Sequence, residues 1–413
     1  MMKKWISALL ALLLLAMGCT GCGEPASGGG QDGAQPPSGI YYDVTGIDPR
    51  ADAMSLGSSV APAELYLYWL SYNCGSLEYQ ISASHAYYGA YGEVFDDEGN
   101  LLWDVAADFL GGMTLSQYAK EQAVSATKFY AAIENMAQEQ GVELTEDDRA
   151  AMADSLAASI EQLGGEEGFQ ENLDLMGISR ETFDRITEAS YLFNHLRDMV
   201  LEEGSALYLE PSGYERYAAY ADHILLATVD TATREPLREE EIAAKRTTAE
   251  DLLSQLQAAG AGELESLFTQ LADQYSEDTG RAGSPDGYVF GPGEMVQEFE
   301  DAAFALSPGQ ISGIVETACG YHIILRKDLT AKLEEDPVKR TELAEEHVSA
   351  LLDEMCAGED AALSEELEAL DAGAFYAAYS EAVEARSAAN SGAETSEGAE
   401  NSAEDGADEN GGE

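Results

Sequence analysis

Apolar positions along the chain fall into two textures. From Ala61 to about Val200 they recur three and four residues apart, the spacing that lines one face of an α-helix. Thr114 with Gln117 three residues on is a capping-box pattern, and Ala126, Phe129, Tyr130, Ile133, Met136 and Ala137 then share a face until Gly141. Thr145 with Asp148 opens another helix, which carries Met152, Leu156, Ile160 and Leu163 and stops at Gly164-Gly165. Shorter helices follow with Phe169, Leu173 and Met176, then with Phe183, Ile186, Phe193 and Leu196. The aromatic stretch Glu64 to Tyr72 (ELYLYWLSY) reads as a buried helix, with an apolar groove for a client chain as the sharper alternative.

At Tyr220 the period changes. Ala221 to Leu226 is a short strand, Glu239 to Ala259 an amphipathic helix with Ile242, Leu252, Leu253 and Leu256, and Glu263 to Tyr275 a second helix with Leu264, Leu267, Phe268 and Leu271. A turn-rich loop runs from Ser276 to Gly293, a helix carries Met295, Phe299, Ala303 and Leu306, and the strands Gly313 to Thr317 and Tyr321 to Arg326 meet at Cys319-Gly320. The order β-α-α-β-α-β-β predicts an α+β domain of about 110 residues. Beyond Asp328, Glu342 to Met355 is amphipathic through Leu343, Val348, Leu351 and Leu352.

The ends differ from this interior. Lys3 and Lys4 precede the apolar run Trp5 to Met17, too short for the ~20 residues that span a bilayer and within the range of a secretory leader core. Its close, Ala16-Met17-Gly18-Cys19, resembles the lipobox of bacterial lipoproteins, which implies a lipid on Cys19; Thr20-Gly21-Cys22 is a second candidate and an ordinary cleaved leader the plain alternative. Gly21 to Gly39 lacks apolar periodicity and reads as a spacer, and Ser387 to Glu413 lacks aromatic residues and reads as an acidic disordered tail. The expected organisation is therefore a leader over 1–18, a linker over 19–40, a helical domain over 41–219, the α+β domain over 220–329, C-terminal helices over 330–386 and a tail over 387–413.

Charge narrows the partners. Seventy-eight acidic against 21 basic residues leave a net charge of -57 in 413 residues, which repels a polyanion, so nucleic acid is excluded as a partner. With 45% hydrophobic residues, 21 Tyr and 11 Phe, the chain still has the apolar area to build cores. Cys22, Cys74, Cys319 and Cys356 are too sparse for a disulfide framework and lack metal-ligand spacing. His85 and His195 have no second ligand three or four residues away, so neither a metal nor another cofactor is implied.

The stretches ADHILL, FTQLADQYSED, GPGEMVQEFEDAAFALSPGQISGIVET and CGYHIILRKD keep the order and spacing of the parvulin family of peptidyl-prolyl isomerases, over about Ala221 to Asp328. With the leader, the helical region before and the helix after, the whole plan resembles the PrsA-type extracytoplasmic foldase lipoproteins, related in plan to SurA. The resemblance implies an enzyme that turns X-Pro bonds of unfolded, newly exported proteins, held by a lipid anchor on the extracytoplasmic face of the membrane. It also implies that the C-terminal helices return to the N-terminal ones, making the parvulin domain an insertion; an independent helix leading to the tail is the plain alternative. Oligomeric state is left open.

Rotation about an X-Pro amide crosses a barrier of roughly 18 to 20 kcal/mol with no bond broken. A catalyst must favour the twisted amide, so an apolar slot for the proline ring and a desolvated carbonyl both help. By the resemblance, Met295 and Phe299 would wall that slot, with Tyr288 and Cys319 at its rim; an i, i+4 pair is equally what a core requires. His223 and His322, each inside an apolar strand run, would be paired imidazoles able to hydrogen-bond each other, or a structural pair that fixes strand register. Asp278 falls where parvulins carry Cys or Asp facing the amide, and Thr317 is a polar position near the same floor. Turn chemistry and β-propensity are the respective alternatives.

Two departures from the family pattern bear on substrates. Its Gly-Gly-Asp-Leu-Gly loop appears as Ser284-Pro285-Asp286-Gly287-Tyr288, so the apolar Leu of the rim is replaced by Gly287, and Cys319 replaces a commoner Ser or Thr. Arg234 and Arg238 are interleaved with Glu235, Glu239, Glu240 and Glu241, which opposes a requirement for phosphorylated substrates. A holdase with a catalytically weak parvulin domain is the alternative to the foldase. A transporter's ligand-binding lipoprotein would need two similar α/β lobes, which the sequence lacks.

Overall fold

A computed structural model describes residues 36–400 except 261, 359 and 360, without the side chains of the last turns of the final helix. The leader, Cys19, Cys22, nearly all of the linker and the chain beyond 400 lie outside the described residues. No helix among the described residues is long and apolar enough to cross a membrane.

In chain order the elements are α1 (Ile40–Thr45), β1 (Asp52–Leu56), β2 (Ser59–Pro62), α2 (Ala63–Tyr88), α3 (Leu115–Gln140), α4 (Glu146–Gln162), α5 (Glu166–Met176) and α6 (Arg180–Leu201). Then come β3 (Ala219–Ala227), α7 (Glu239–Ala258), α8 (Leu264–Tyr275), β4 (Tyr288–Phe290), α9 (Gln297–Ala305), β5 (Val315–Thr317) and β6 (Gly320–Arg326). Four helices follow among the described residues: α10 (Leu329–Glu335), α11 (Pro337–Gly358), α12 (Glu365–Glu368) and α13 (Ala372–Glu400). The chain divides into two units, one of residues up to Leu196 and from Ser349 onward, the other Arg197–Val348.

In the first unit the capping signals translate directly. Thr114 and Gln117 satisfy each other's backbone donors at the start of α3, which ends on Gly141 in the left-handed conformation, and Thr145 with Asp148 does the same for α4. Leu65, Tyr66, Leu67, Trp69 and Leu70 of α2 are all buried, so ELYLYWLSY is core, not an exposed groove. The face expected of α4 is only half-buried: Met152 and Leu156 line a cavity of about 380 Å³ together with Phe183, Ile186 and Tyr191 of α6. The hairpin β1–β2, pinned by Asn135 donating from Nδ2 to the Leu56 carbonyl at 2.6 Å, was not expected in a helical region.

The C-terminal helices divide differently from the single packing expected of 330–386. Helix α13 belongs to the first unit: Phe375 packs at 6.0 Å on the Tyr41 ring, Arg386 pairs with Asp43 at 2.6 Å, and the Tyr379 hydroxyl donates to the Leu175 carbonyl at 2.9 Å. It continues to Glu400, through the start of the stretch expected to be tail, because alanines at 388, 389 and 393 favour helix where the lack of aromatics argued against order. Residues up to Val348, by contrast, belong to the second unit, which begins at Arg197, ahead of the expected 220. Arg197 reaches Glu345 at 3.2 Å, Tyr217 Oη is 2.7 Å from His347 Nδ1, and Leu329 and Leu333 are buried.

The second unit is built on a four-stranded sheet in the order β4-β3-β6-β5, antiparallel throughout. Alternation along β3 and β6 sorts its side chains to two faces. Ile224, Leu226, Tyr321, Ile323 and Leu325 meet Leu252, Leu256, Phe268 and Leu271 of α7 and α8. Ala219, Ala221 and Ile324 take the opposite face with Phe290 and with Phe299 and Ala303 of α9. His223 and His322 share this second parity, and it is here that polar groups collect.

Candidate functional site

His223 lies opposite Ile324 in the β3–β6 register, and His322 opposite Leu225, so the two rings are diagonal neighbours on one face. They do not hydrogen-bond each other as expected: the centroids are 5.3 Å apart at 75°, edge to face, and Nδ1 of each ring is buried without a partner. The pair's polar contacts go outward instead. Nε2 of His322 is 2.9 Å from Thr317 Oγ1, an oxygen that also accepts the Cys319 N–H at 3.0 Å, and Nε2 of His223 is 3.5 Å from Asp278 Oδ2.

Burial lowers the proton affinity of both imidazoles. His322 is pushed down to about 4, first by desolvation and then by His223 beside it. His223 is lowered by desolvation too, against the pull of Asp278. Both rings are therefore neutral near pH 7, and the His223–Asp278 contact at that pH is not an ion pair.

The apolar wall is Phe299 of α9, which stands 5.1 Å from His223 and 5.4 Å from His322, nearly edge-on to both. Met295 also packs against this cluster, but from the turn ahead of α9, whose first residue is Gln297. The expected helical i, i+4 pair is thus a turn residue facing a helix residue, because Val296 is extended and caps the helix. Cys319 is a half-buried free thiol in the β5–β6 turn, its carbonyl accepting the Thr228 N–H at 3.1 Å.

Asp278 caps a 3-10 turn over Thr279–Ala282, so the turn alternative describes its backbone role accurately. Its carboxylate nevertheless points into the site: Oδ1 accepts the Gly280 N–H at 3.0 Å and Oδ2 accepts the Tyr288 hydroxyl at 2.6 Å. At the rim the backbone itself requires glycine. Gly287 sits at φ +99°, and a Cβ there would stand 2.5 Å from the Ala221 carbonyl oxygen, so Leu has no room at this position.

Sequence reading passed over Asp222 and Arg281. Arg281 Nη1 donates to Asp222 Oδ1 at 2.6 Å beneath the site, and its Nη2 reaches Asp273 at 2.8 Å. Asp222 is almost wholly buried, and desolvation raises its proton affinity against the opposing pull of Arg281. Asp222 stands next to His223 in the strand and Arg281 three residues after Asp278, the one signal available; neither spacing distinguishes a buried ion pair from surface charge. Arg238, meanwhile, is exposed and paired with Glu241 at 2.8 Å.

A neutral imidazole pair, a carboxylate and an aromatic wall, set on one face of a four-stranded antiparallel sheet, make this a parvulin-class domain. Residues 223–328 match the Rotamase family model, described as the PPIC-type PPIASE domain. The Foldase protein PrsA of Geobacillus sp. (strain WCH70) is 54% identical over 67 residues, 16% of this chain and 24% of that protein. Peptidyl-prolyl cis-trans isomerase pin1 of Schizosaccharomyces pombe is 38% identical over 109 residues, 26% of this chain and 60% of that protein. The crystal structure of a peptidylprolyl isomerase (PrsA) from Bacillus cereus is 19% identical and covers 70% of this chain and 97% of its own, with a TM-score of 0.31. The chain thus spans about a quarter of the length of the Geobacillus foldase and three fifths of the fission-yeast isomerase.

Proposed function

We propose that the chain is a peptidyl-prolyl cis-trans isomerase that acts on unphosphorylated X-Pro bonds of unfolded exported proteins, held to the extracytoplasmic face of a membrane by lipid on Cys19. The observation that carries the isomerase reading is the packing of Phe299 edge-on to the neutral His223–His322 pair with Asp278 3.5 Å from His223. The proline ring takes the slot between Phe299 and Met295, with Tyr288 and Cys319 at its rim. No proton is transferred to the substrate. His322, fixed by Thr317, and His223 present an uncharged floor that leaves the substrate carbonyl poorly solvated, which disfavours the polar planar amide more than the twisted one. The Asp278 carboxylate acts on the changing amide dipole, a contribution that differs between ground and twisted states.

The first unit serves as the client-holding part, supported by the apolar cavity between α4 and α6. Interleaved acids at Arg234 and Arg238 support the unphosphorylated substrate. The leader pattern and Gly18-Cys19 support the anchor and the location.

The test is cis/trans exchange of an unphosphorylated X-Pro peptide, followed by NMR with the full chain. Phe299→Ala should weaken peptide binding and turnover together, whereas Asp278→Ala should lower turnover at nearly unchanged affinity. No acceleration by the folded wild-type chain refutes the isomerase and leaves the holdase.

A further inference from the structure

Tyr288 follows Gly287 in the rim loop, and the structure gives it two contacts within the site. It pairs with Ala221 in the β3–β4 register, which puts its side chain on the same face as His223 two residues along. Its ring lies 5.9 Å from the His223 ring at 19°, nearly parallel. Its hydroxyl donates to Asp278 Oδ2 at 2.6 Å, the same oxygen that faces His223 Nε2 at 3.5 Å. Gly280 makes room for this: a Cβ there would stand 2.6 Å from the phenolic oxygen.

We propose that Tyr288 is a positioning residue: its hydroxyl locks the Asp278 carboxylate in one orientation toward the substrate amide while its ring covers His223. The assignment rests on the isomerase reading of the same site. With Oδ1 held by the Gly280 N–H and Oδ2 by the phenol, the carboxylate cannot rotate, and its charge is shared with a donor that stays protonated. Burial, then the Asp278 charge, raise the Tyr288 hydroxyl well above the ordinary tyrosine range, so it remains a donor at every pH of interest. Without the hydroxyl the carboxylate would be free to swing toward His223 and strengthen that one contact at the expense of the amide.

The other charged and titratable groups around this pair enter the comparison unchanged. His322 faces His223 from β6, Arg281 and Asp222 lie below with Asp273 of α8, and Glu277 is engaged by Lys245 of α7 and by the Ala227 N–H.

The test uses the full chain with isotope-labelled histidine, of which there are five. In Tyr288→Phe, which keeps the ring, the His223 titration midpoint should move upward by about half a pH unit or more, because the carboxylate then answers to the imidazole alone. In the same variant kcat for the X-Pro peptide should fall about tenfold with KM within about twofold of wild type. Gly280→Ala, which displaces the hydroxyl and leaves Tyr288 in place, should reproduce both changes. An unmoved His223 midpoint overturns the assignment, and so does a raised KM at constant kcat, which would make Tyr288 a binding contact only. Absence of acceleration by the wild-type chain would instead remove the isomerase reading, and the His223 midpoint in Tyr288→Phe would still decide whether the phenol orients Asp278.

Discussion

Acid should loosen the β3–β6 sheet well before it protonates the bulk of the carboxylates, and His322 should carry most of that loss. The ring is 5% exposed, faces Phe299 and His223, and has Thr317 as its one polar partner among the described residues. Charging it in place would bury a cation with only the attraction of Asp278 to set against the lost hydration. Its midpoint is accordingly lowered from 6.5 to about 4 in the folded chain. Because the unfolded chain binds this proton more readily, the contribution of neutral His322 is complete above pH 6.5 and is lost as pH falls toward 4. At about 1.36 kcal/mol per pH unit the loss amounts to roughly 3 kcal/mol, or about two orders of magnitude in the opening equilibrium. His223 adds in the same direction, since burial lowers it too, while Asp222, raised by burial, works in the opposite sense. The assay is hydrogen exchange by mass spectrometry on peptides covering 219–227 and 320–326, between pH 4.5 and 7, corrected for intrinsic rates. Tryptophan fluorescence will not serve, because the three Trp are residues 5, 69 and 103, all outside this unit. His322→Gln keeps an amide for Thr317 and removes the His322 titration, so the protection of these peptides should lose most of its dependence on pH. An unchanged slope in His322→Gln would refute the reasoning.

Two further outcomes are expected. Gly287→Ala should cost more than about 2 kcal/mol, combining a positive φ with a backbone clash at the Ala221 carbonyl, and should loosen the β3–β4 edge; a loss below about 1 kcal/mol in denaturant melts would show that the loop relaxes freely. Cys19→Ser should move the protein out of the membrane fraction or leave it as unprocessed precursor, and a variant that fractionates and migrates like wild type would turn attention to Cys22.

Much of the fold could be read from the sequence wherever local signals and tertiary packing agree. Thr114–Gln117 and Thr145–Asp148 are satisfied within four residues of chain, so the starts of α3 and α4 needed no knowledge of their surroundings. The hairpin β1–β2 depends on Asn135, some eighty residues away, and left no comparable local trace. In the candidate site, the resemblance singled out His223, His322, Phe299 and Asp278, which the structure brings together, but not their contacts. Edge-to-face rings and a hydrogen bond between rings demand the same two strands, and only the register separates them. The role of Met295 shifted because an extended Val296 cannot be told from a helical one by apolar spacing. The Arg281–Asp222 pair was illegible for a different reason, since in a chain with 78 acidic residues one more Asp carries no signal.

The first unit draws its core from both ends of the described chain, with Tyr41 of α1 packed on Phe375 and Tyr379 of α13. In a chain that emerges from its N-terminus, α1 and α2 must wait for more than 280 intervening residues before α13 can cover them. The second unit, ending at Val348, can by then already be formed. Its folding shortens the loop that remains to be closed, although closure cost rises only about 0.6 kcal/mol per doubling of loop length, so the greater effect is on timing. Until the last helix arrives, Tyr41 has no aromatic cover, and the first unit is itself an incompletely folded chain with apolar surface to shield. The core of the first unit is therefore closed by α13, and truncation before Ala372 should leave the second unit formed and the first one open.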